Sequence, residues 1–300
     1  MTRTRTSTLL SALFLLPGIL MSGVNAEETT DASASKPAVD GINGKLSFEK
    51  AVDGYDAHGV SGALTIPIGH RFGLQVDGMV AEYDSYIFGD VPVFAAAAHA
   101  FWRDPSKGLL GLYADYSYAD VYEGFSLSSA SLGIEGSLYL DRFTLDAIIG
   151  GKDGDIFGST LFDRVRLSYY PTDDLQLHIG HAYSYGHHSL RYGLEWAFAG
   201  HAGAASTLYA DGSVGEDGTH AAGLGMRFYF GQHDKTLIRR HREDDPPMAP
   251  NTVAISIADG GNYTWIIGNT GNPNGGGVIY GNYGTLLSYY AEQALAKRQH

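Results

Sequence analysis

Apolar and polar side chains alternate along most of this chain. Between residues 190 and 198 large apolar residues occupy every second position, and Arg191, Gly193, Glu195 and Ala197 fall between them. A period of two is typical of a β-strand whose two faces meet different surroundings. The same pattern predicts twelve strands, at residues 44–52, 57–67, 72–83, 91–102, 109–119, 125–140, 143–152, 159–170, 175–185, 188–198, 204–213 and 219–230.

The length and spacing of these strands favour a membrane-spanning barrel. Most exceed the roughly 5–6 residues usual in soluble proteins and approach the roughly 9–11 that cross a bilayer at a tilt. The connections are short and polar, as in 103–108 and 141–142. Aromatic residues collect where alternate hairpins turn, which predicts a girdle at the membrane boundary: Phe101, Trp102, Tyr139, Tyr169, Tyr170, Trp196, Phe198, Phe228, Tyr229 and Phe230.

Closure of the sheet is the second argument for a barrel. Twelve consecutive strands with no intervening helix close into an up-and-down antiparallel cylinder, which leaves no unpaired backbone edge in hydrocarbon. The predicted fold class is therefore all-β, a closed barrel of about twelve strands over residues 44–230. A secreted β-sandwich with an apolar core would alternate in the same way and is the alternative.

Composition supports an all-β protein and excludes one class of partner. The chain has 40 Gly, 20 Tyr and 13 Phe in 300 residues, which is unlike a helical protein. Its formal charge is −13, and removal of residues 1–26 with Arg3 and Arg5 makes it −15, so we expect no nucleic-acid binding. There is no cysteine, so stability must come from packing and hydrogen bonds.

The regions outside the barrel suggest export from the cytoplasm. Two arginines, an apolar run and small residues up to Ala26 predict a cleaved signal peptide at 1–26. Residues 27–43 are predicted to form a flexible N-terminal segment before the barrel. Residues 231–300 read as a largely low-complexity or disordered tail that begins with a charged leash at 237–247. An even number of strands places both termini on one side, which we expect to be the periplasm.

Four segments resemble an uncharacterised porin-like family of small alphaproteobacterial outer-membrane proteins: HAFWRDPSKGLLGLYADYSY, LDRFTLDAIIG, YYPTDDLQL and RFYFGQHDKTLIRRHREDDPP. The resemblance covers roughly residues 44–247 and implies a Gram-negative outer-membrane location. Residues 225–230 also resemble the closing-strand signal read by the barrel assembly machinery, although here it is internal. The implied partners are outer-membrane lipids, that machinery and small polar solutes.

Ionisable residues on the polar face predict what lines the lumen. The candidate lumen-lining residues are Asp77, Asp115, Glu135, Asp146, Arg164, Arg166, Arg191, Glu195, Asp211 and Arg227. Acidic members dominate strands three to seven and arginines dominate strands eight to twelve, so the two arcs would face each other. In a hydrated lumen this creates a transverse field and favours a narrow passive channel for small hydrophilic solutes. The alternative is a closed structural barrel in which the charges pair across a filled interior.

Catalysis is the third hypothesis. Some outer-membrane barrels are lipid hydrolases, and His178, His181, Ser184, His187 and His188 are the available residues near the end of strand nine. His181 and Ser184 differ in strand parity and leave by opposite faces, so they do not form a nucleophile–base pair. We expect no enzymatic activity, no catalytic residues, no cofactor and no metal site. His187 and His188 are adjacent on extended backbone and read as solvated loop residues.

Overall fold

A computed structural model describes residues 36–53, 57–85, 89–122, 125–155, 158–184, 186–201, 204–215, 220–231, 235–244 and 246. The strands are β1 Asn43–Asp53, β2 Ala57–Ile68, β3 Phe72–Ser85, β4 Gly89–Asp104, β5 Gly108–Tyr122, β6 Phe125–Leu140, β7 Phe143–Gly154, β8 Gly158–Thr172, β9 Leu175–Ser184, β10 His187–His201, β11 Ala204–Gly215 and β12 His220–Phe230. One helix, α1, follows at Leu237–Glu243.

The twelve strands form a closed antiparallel barrel in sequence order, which confirms the predicted fold class. β1 closes the cylinder against β12, with Gly44 opposite Phe230 and Glu49 opposite Gly225. The predicted strand limits differ from the observed ones by at most three residues. Their bounds leave two to four residues in each connection, so the connections are short at both ends of the barrel.

We call the end at which β1 begins and β12 ends the terminal end, and the opposite end the distal end. Tight turns at the terminal end use residues that tolerate positive φ. Asp141 has φ 48° in the connection from β6 to β7, and Gly69 has φ 62° between β2 and β3.

The apolar face of the sheet points outward. Leu194 and Trp196 are 40% and 49% exposed, whereas Glu195 between them is 4% exposed. The same contrast recurs around the cylinder, since large apolar side chains such as Leu110, Ile149 and Leu224 are exposed on the outer surface. Charged side chains instead occupy the interior. This arrangement, an apolar exterior around a polar interior, is the reverse of that in a soluble protein and is what a hydrocarbon environment requires. The β-sandwich alternative, which needs these apolar residues inside, is wrong.

The predicted aromatic girdle is half correct. Trp102, Tyr169, Trp196, Phe198 and Phe230 are exposed on the outer face near the terminal end. Their sequence neighbours Phe101, Tyr170 and Tyr229 are 1–2% exposed, and Tyr139 is 6% exposed. Successive residues of a strand alternate between faces, so adjacent aromatics cannot all face lipid. We call Tyr139, Tyr170 and Tyr229 the inner collar.

Part of the region beyond β12 is ordered. Where the sequence suggests a charged leash, the structure has helix α1, with Leu237, Arg240, His241 and Glu243 buried. Residues 36–42, from the predicted flexible lead-in, include the buried Ala38 and Val39. The predicted signal peptide and the tail from 247 onward lie outside the described residues. Within the described ranges, no helix has the length and apolar character of a membrane span.

Candidate functional site

All ten predicted lumen-lining residues lie on the inner face of the barrel. Seven are buried and Asp115, Arg164 and Arg166 are half-buried. Strand alternation places them there, since each shares the parity of its strand's buried positions. The structure divides them into three groups, one on β3–β6, one between β5–β8 and one on β9–β12.

The first group surrounds a buried histidine. His99 Nδ1 lies 2.7 Å from Glu135 Oε2, and His99 Nε2 lies 3.0 Å from Asp77 Oδ2. The second contact has an ion-pair distance but lacks hydrogen-bond geometry. Gln75 donates to Asp77 at 2.9 Å and accepts from Thr65 at 2.9 Å. A positively charged imidazole between two carboxylates offsets the repulsion between them.

The second group joins the acidic and basic arcs. Arg164 Nη2 lies 3.6 Å from Asp115 Oδ2 and donates to Tyr113 Oη at 2.9 Å. Arg166 Nη2 lies 3.5 Å from Asp146 Oδ2, across the β7–β8 pair in which these two residues are opposite. Both ion pairs are longer than the roughly 2.7–2.9 Å of a strong charge-assisted hydrogen bond.

The third group neutralises charge within the basic arc. Glu195 accepts hydrogen bonds from Arg227, from Thr207 at 2.7 Å and from Tyr229 at 2.8 Å. His178 Nε2 lies 3.1 Å from Asp211 Oδ1. Because these pairs close locally, and His99 lies between the acids of the other arc, the charge separation across the lumen is smaller than the sequence predicts.

Apolar side chains occupy the distal half of the lumen on one wall. A packed layer from β12 and β1 to β6 contains Ala51, Ala57, Met79, Ala81, Tyr83, Val91, Ala119, Leu127 and Ala221. Val93 and Ala95 pack against it. On this wall the inward-facing charged residues Asp77, Asp115 and Glu135 lie nearer the terminal end than the apolar layer does.

Helix α1 covers the terminal end of the lumen through the inner collar. His241 Nδ1 lies 2.9 Å from Tyr170 Oη, and His241 Nε2 lies 3.0 Å from Tyr229 Oη. Glu195 Oε2 is 3.6 Å from the same Nε2. One residue of the helix thus connects to the third group of lumen charges.

Further polar contacts attach α1 to the turns of the terminal end. Arg242 donates to Phe143 O at 2.8 Å and to Thr144 Oγ1 at 3.0 Å. The Leu237 amide donates to Asp174 Oδ1 at 3.1 Å, which satisfies one amide at the start of the helix. The side chain of Thr236, the N-cap residue, makes no capping hydrogen bond.

The segment before β1 completes the cover. Arg103 Nη1 donates to Ala38 O at 3.1 Å. Val39 packs against Phe101 and Leu109 on the inner face. The chain entering the barrel and the helix leaving it therefore lie over the same opening.

Glu243 links the two covering segments. Its carboxylate accepts hydrogen bonds from Lys36 and from Arg239, and Lys235 Nζ lies 3.5 Å away. Its backbone carbonyl accepts from the Asp40 amide at 3.3 Å. Burial acts to raise the pKa of Glu243, but the hydrogen bonds from Arg239 and Lys36 and the charge of Lys235 hold it below the ordinary value.

The histidines considered for catalysis do not assemble with a nucleophile. His178 is directed inward toward Asp211, not toward Ser184, whose buried Oγ makes no hydrogen bond to the described residues. His181 lies on the outer face, 3.1 Å from Asp163 Oδ1 and 2.9 Å from His188 Nδ1. The sequence predicts His187 and His188 as solvated loop residues, but both belong to β10, and His188 contacts His181. His187 lies in β10, and its side chain is outside the described part.

Several interior residues escaped the sequence prediction. His99, Lys152 and Arg103 share the inward parity of their strands, so a consistent parity assignment would have found them. His241 could not have been found by parity, because it lies on a helix outside the sheet. Among the residues that the structure describes, no group of three or more His, Asp or Glu is placed to bind a metal.

Comparison with known proteins yields structural matches alone. No protein-family model and no curated protein sequence matches the chain. An outer-membrane channel from Pseudomonas putida F1 matches with a TM-score of 0.46 and 13% identity, over 68% of this chain and 99% of that one.

Two other matches have comparable scores. Outer membrane phospholipase A from Escherichia coli matches at 0.44 and 10% identity, over 66% of this chain and 99% of that one. The KdgM porin in complex with oligogalacturonate matches at 0.43 and 9% identity, over 64% and 99%. At this level of likeness, channel and enzyme barrels score alike and do not discriminate between functions.

Proposed function

We propose that the protein is an outer-membrane β-barrel and acts as a narrow passive channel for small hydrophilic solutes. In the described conformation, helix α1 closes this channel. One observation carries this proposal: the charged lumen is covered at its terminal end by α1 and residues 36–42, which are not part of the barrel wall. The apolar outer surface supports the location, and the predicted signal peptide supports export.

The proposal also fixes an orientation. The short connections at both ends do not distinguish the two sides, so orientation rests on the even number of strands and the internal closing-strand sequence at 225–230. We place the terminal end, with α1, in the periplasm. Outer-membrane lipids and the barrel assembly machinery are then the partners.

The polar lumen supports contact with water in some state of the protein. Replacing buried ion pairs by packed apolar residues is often neutral or stabilising, by roughly 1–4 kcal/mol. By this argument a barrel needed only as a closed scaffold would be about as stable with packed apolar residues in place of its interior ion pairs. A lumen that fills with water when the channel opens would require polar side chains on its inner face.

The cover is suited to reversible removal. Most of its contacts to the barrel are polar, with His241 on the inner collar and Arg242 on β7, and Leu237 is its fully buried apolar side chain. Water can replace hydrogen bonds of this kind, so their net contribution is modest, about 0.5–1.5 kcal/mol each. Displacing α1 leaves the twelve-stranded sheet unchanged.

A closed structural barrel is the second candidate. The pairing of Glu195 with Arg227, of Asp211 with His178 and of His99 with its two carboxylates favours it, because these groups satisfy one another without water. The apolar distal layer favours it as well.

Conductance in planar bilayers separates the two candidates. We expect the full chain to open rarely and the His241→Ala variant to open about tenfold more often, since two hydrogen bonds to the inner collar are lost. Arg166→Glu should then shift the ion preference of the open state toward cations.

His58→Ala is the matched control, because His58 is an exposed histidine on the outer face, near the distal end of β2 and 3.8 Å from Glu82. It should behave like the unaltered chain. If the full chain and His241→Ala are both inserted and both electrically silent, the protein is a closed structural barrel.

A further inference from the structure

We propose that His181 and His188 bind a divalent transition metal on the outer face of the barrel, near the distal end of β9 and β10. The ligand belongs to the late first-row cations that prefer nitrogen, and Cu²⁺ binds most strongly. This inference goes beyond the proposed channel and does not depend on conduction, since both histidines face away from the lumen.

A tight hairpin brings the two histidines together. The connection between β9 and β10 has two residues, and its Gly186 has φ 87°, a conformation typical of such turns. This turn fixes a register in which His188 lies opposite Tyr183. His181 precedes Tyr183 by two positions on the same face. The two histidines are therefore diagonal neighbours across the strand pair, within reach of long side chains.

The two imidazoles face each other through ring nitrogens. His181 Nε2 lies 2.9 Å from His188 Nδ1, and the ring centroids are 5.1 Å apart. Two nitrogens that bind a metal at about 2.0–2.1 Å in adjacent planar positions lie roughly 2.8–3.0 Å from each other. The observed separation matches such a pair of ligands. A tilt of the two exposed rings aims both lone pairs at one ion.

Asp163 on β8 prepares His181 for this role. Its Oδ1 lies 3.1 Å from His181 Nδ1, so the carboxylate accepts a hydrogen bond from that nitrogen. The opposite nitrogen, Nε2, then carries the lone pair of the neutral ring and directs it toward His188. Metal-bound histidines commonly donate their other N–H to a carboxylate, which orients the ring and raises its basicity.

His188 provides the second nitrogen after a change of tautomer. In the described pair its Nδ1 donates to His181, because the Asp163 contact makes His181 Nε2 the acceptor. Moving this proton to Nε2 of the exposed His188 ring, where water accepts it, frees Nδ1 for the metal. Tyr183 packs against the same ring with 4.8 Å between centroids and restricts its orientation.

The site is accessible from outside the barrel. The side chains of His181 and Asp163 keep 45% and 34% of their surface accessible, and His188 is exposed. Three ionisable side chains grouped on the outer face indicate that the hydrocarbon region ends before them, since charge on this face costs more with depth. In the proposed orientation, the metal reaches them from the extracellular medium.

The chemistry of two imidazoles selects the ion. Imidazole nitrogen suits Cu²⁺, Ni²⁺ and Zn²⁺, whereas Ca²⁺ and Mg²⁺ prefer oxygen ligands. Cu²⁺ binds nitrogen sites more strongly than Ni²⁺ or Zn²⁺, and its planar geometry fits the nitrogen separation. Because both rings belong to paired strands, the second bond to the metal forms within one molecule. The affinity therefore exceeds that of a single exposed histidine.

Electron paramagnetic resonance of Cu²⁺ added to the full chain, folded in detergent, tests the proposal. We expect a saturable site whose superhyperfine splitting reports two imidazole nitrogens, and from which excess Zn²⁺ displaces copper but Mg²⁺ does not. His181→Ala and His188→Ala should each weaken binding at least about tenfold and leave one nitrogen. Asp163→Asn should weaken it about tenfold while both nitrogens remain.

His58→Ala is the matched control, because His58 is also an exposed histidine of the outer face but lies 3.8 Å from a carboxylate, that of Glu82. It should bind copper like the unaltered chain, and circular dichroism checks that every variant retains its β-sheet. Unchanged affinity in any of the three site variants, or a single nitrogen in the unaltered chain, would overturn the site and leave a hydrogen-bonded pair. Copper binding by a barrel that never conducts would support the site while refuting the proposed channel, and conduction without copper binding would do the reverse.

Discussion

Glycine positions decide which interior residues meet. Gly193 and Gly225 each let groups two strands apart make contact, and the first joins His178 to Asp211. In an antiparallel sheet, directly opposite residues belong to adjacent strands, so a side chain normally blocks contacts between more distant strands. Interior glycines remove that block. They are part of the lumen's polar network rather than empty space.

This role predicts different outcomes for two glycine substitutions. A Cβ on Gly225 would lie 2.3 Å from Tyr209 Cζ and 2.7 Å from Phe48 O, so Gly225→Ala should displace the tyrosine and cost roughly 1–3 kcal/mol. Gly78 faces outward and has no atom within 4 Å of the same position, so Gly78→Ala should be neutral. Urea unfolding in detergent micelles measures both. Equal stability of the two variants would contradict the role.

Sequence reasoning predicts the face of an interior residue better than its partner. Parity places Asp115 and Arg164 inside, because the strand period is strict. Their contact joins β5 to β8, and no local pattern encodes it. The predicted opposition of acidic and basic arcs identified the two residues but not the local neutralisation by His99 and His178.

At the scale of elements, strands and helix differ in what determines them. Each strand follows from alternation over ten or more residues with turn residues at its ends. Helix α1 has seven residues, too few to be stable alone. Its basic last turn, with Arg240, His241 and Arg242, is favourable for the helix dipole, but its order comes from contacts with the barrel. A leash was therefore the natural sequence prediction.

Acid should release the cover formed by α1 and residues 36–42. Burial acts to raise the pKa of Glu243 above its ordinary value of 4.5, but Arg239, Lys36 and Lys235 hold it below that value. A carboxyl whose pKa is lowered by folding stabilises the folded contact at any pH above its ordinary pKa. This contribution is lost as the pH falls through the lowered pKa of the folded state. We expect α1 to stay docked at pH 7 and at pH 5.5, and to loosen only below about pH 4.

Hydrogen exchange of residues 237–243, followed against pH, measures this release. Glu243→Gln should show faster exchange at pH 7 and no acid transition. Docking that weakens between pH 7 and pH 5.5 would point to another titrating group and contradict the assignment to Glu243.

For the molecule as a whole, the decisive feature is sidedness. A closed sheet satisfies every strand's backbone within the barrel, so its outer surface can be apolar without an unpaired edge. The exposed apolar band and the aromatic residues near the terminal end match hydrocarbon and its boundary. The proposed channel and its cover both depend on this arrangement, since each assigns polar chemistry to the interior.

Fluorescence quenching by lipids with brominated acyl chains tests sidedness most directly. In a variant with Trp102→Phe and Trp265→Phe, the remaining Trp196 is 49% exposed on the outer face. We predict strong quenching of Trp196 by brominated lipids in reconstituted vesicles, and little by aqueous iodide. Emission that brominated lipids leave unchanged, in protein shown to be folded, would contradict the account.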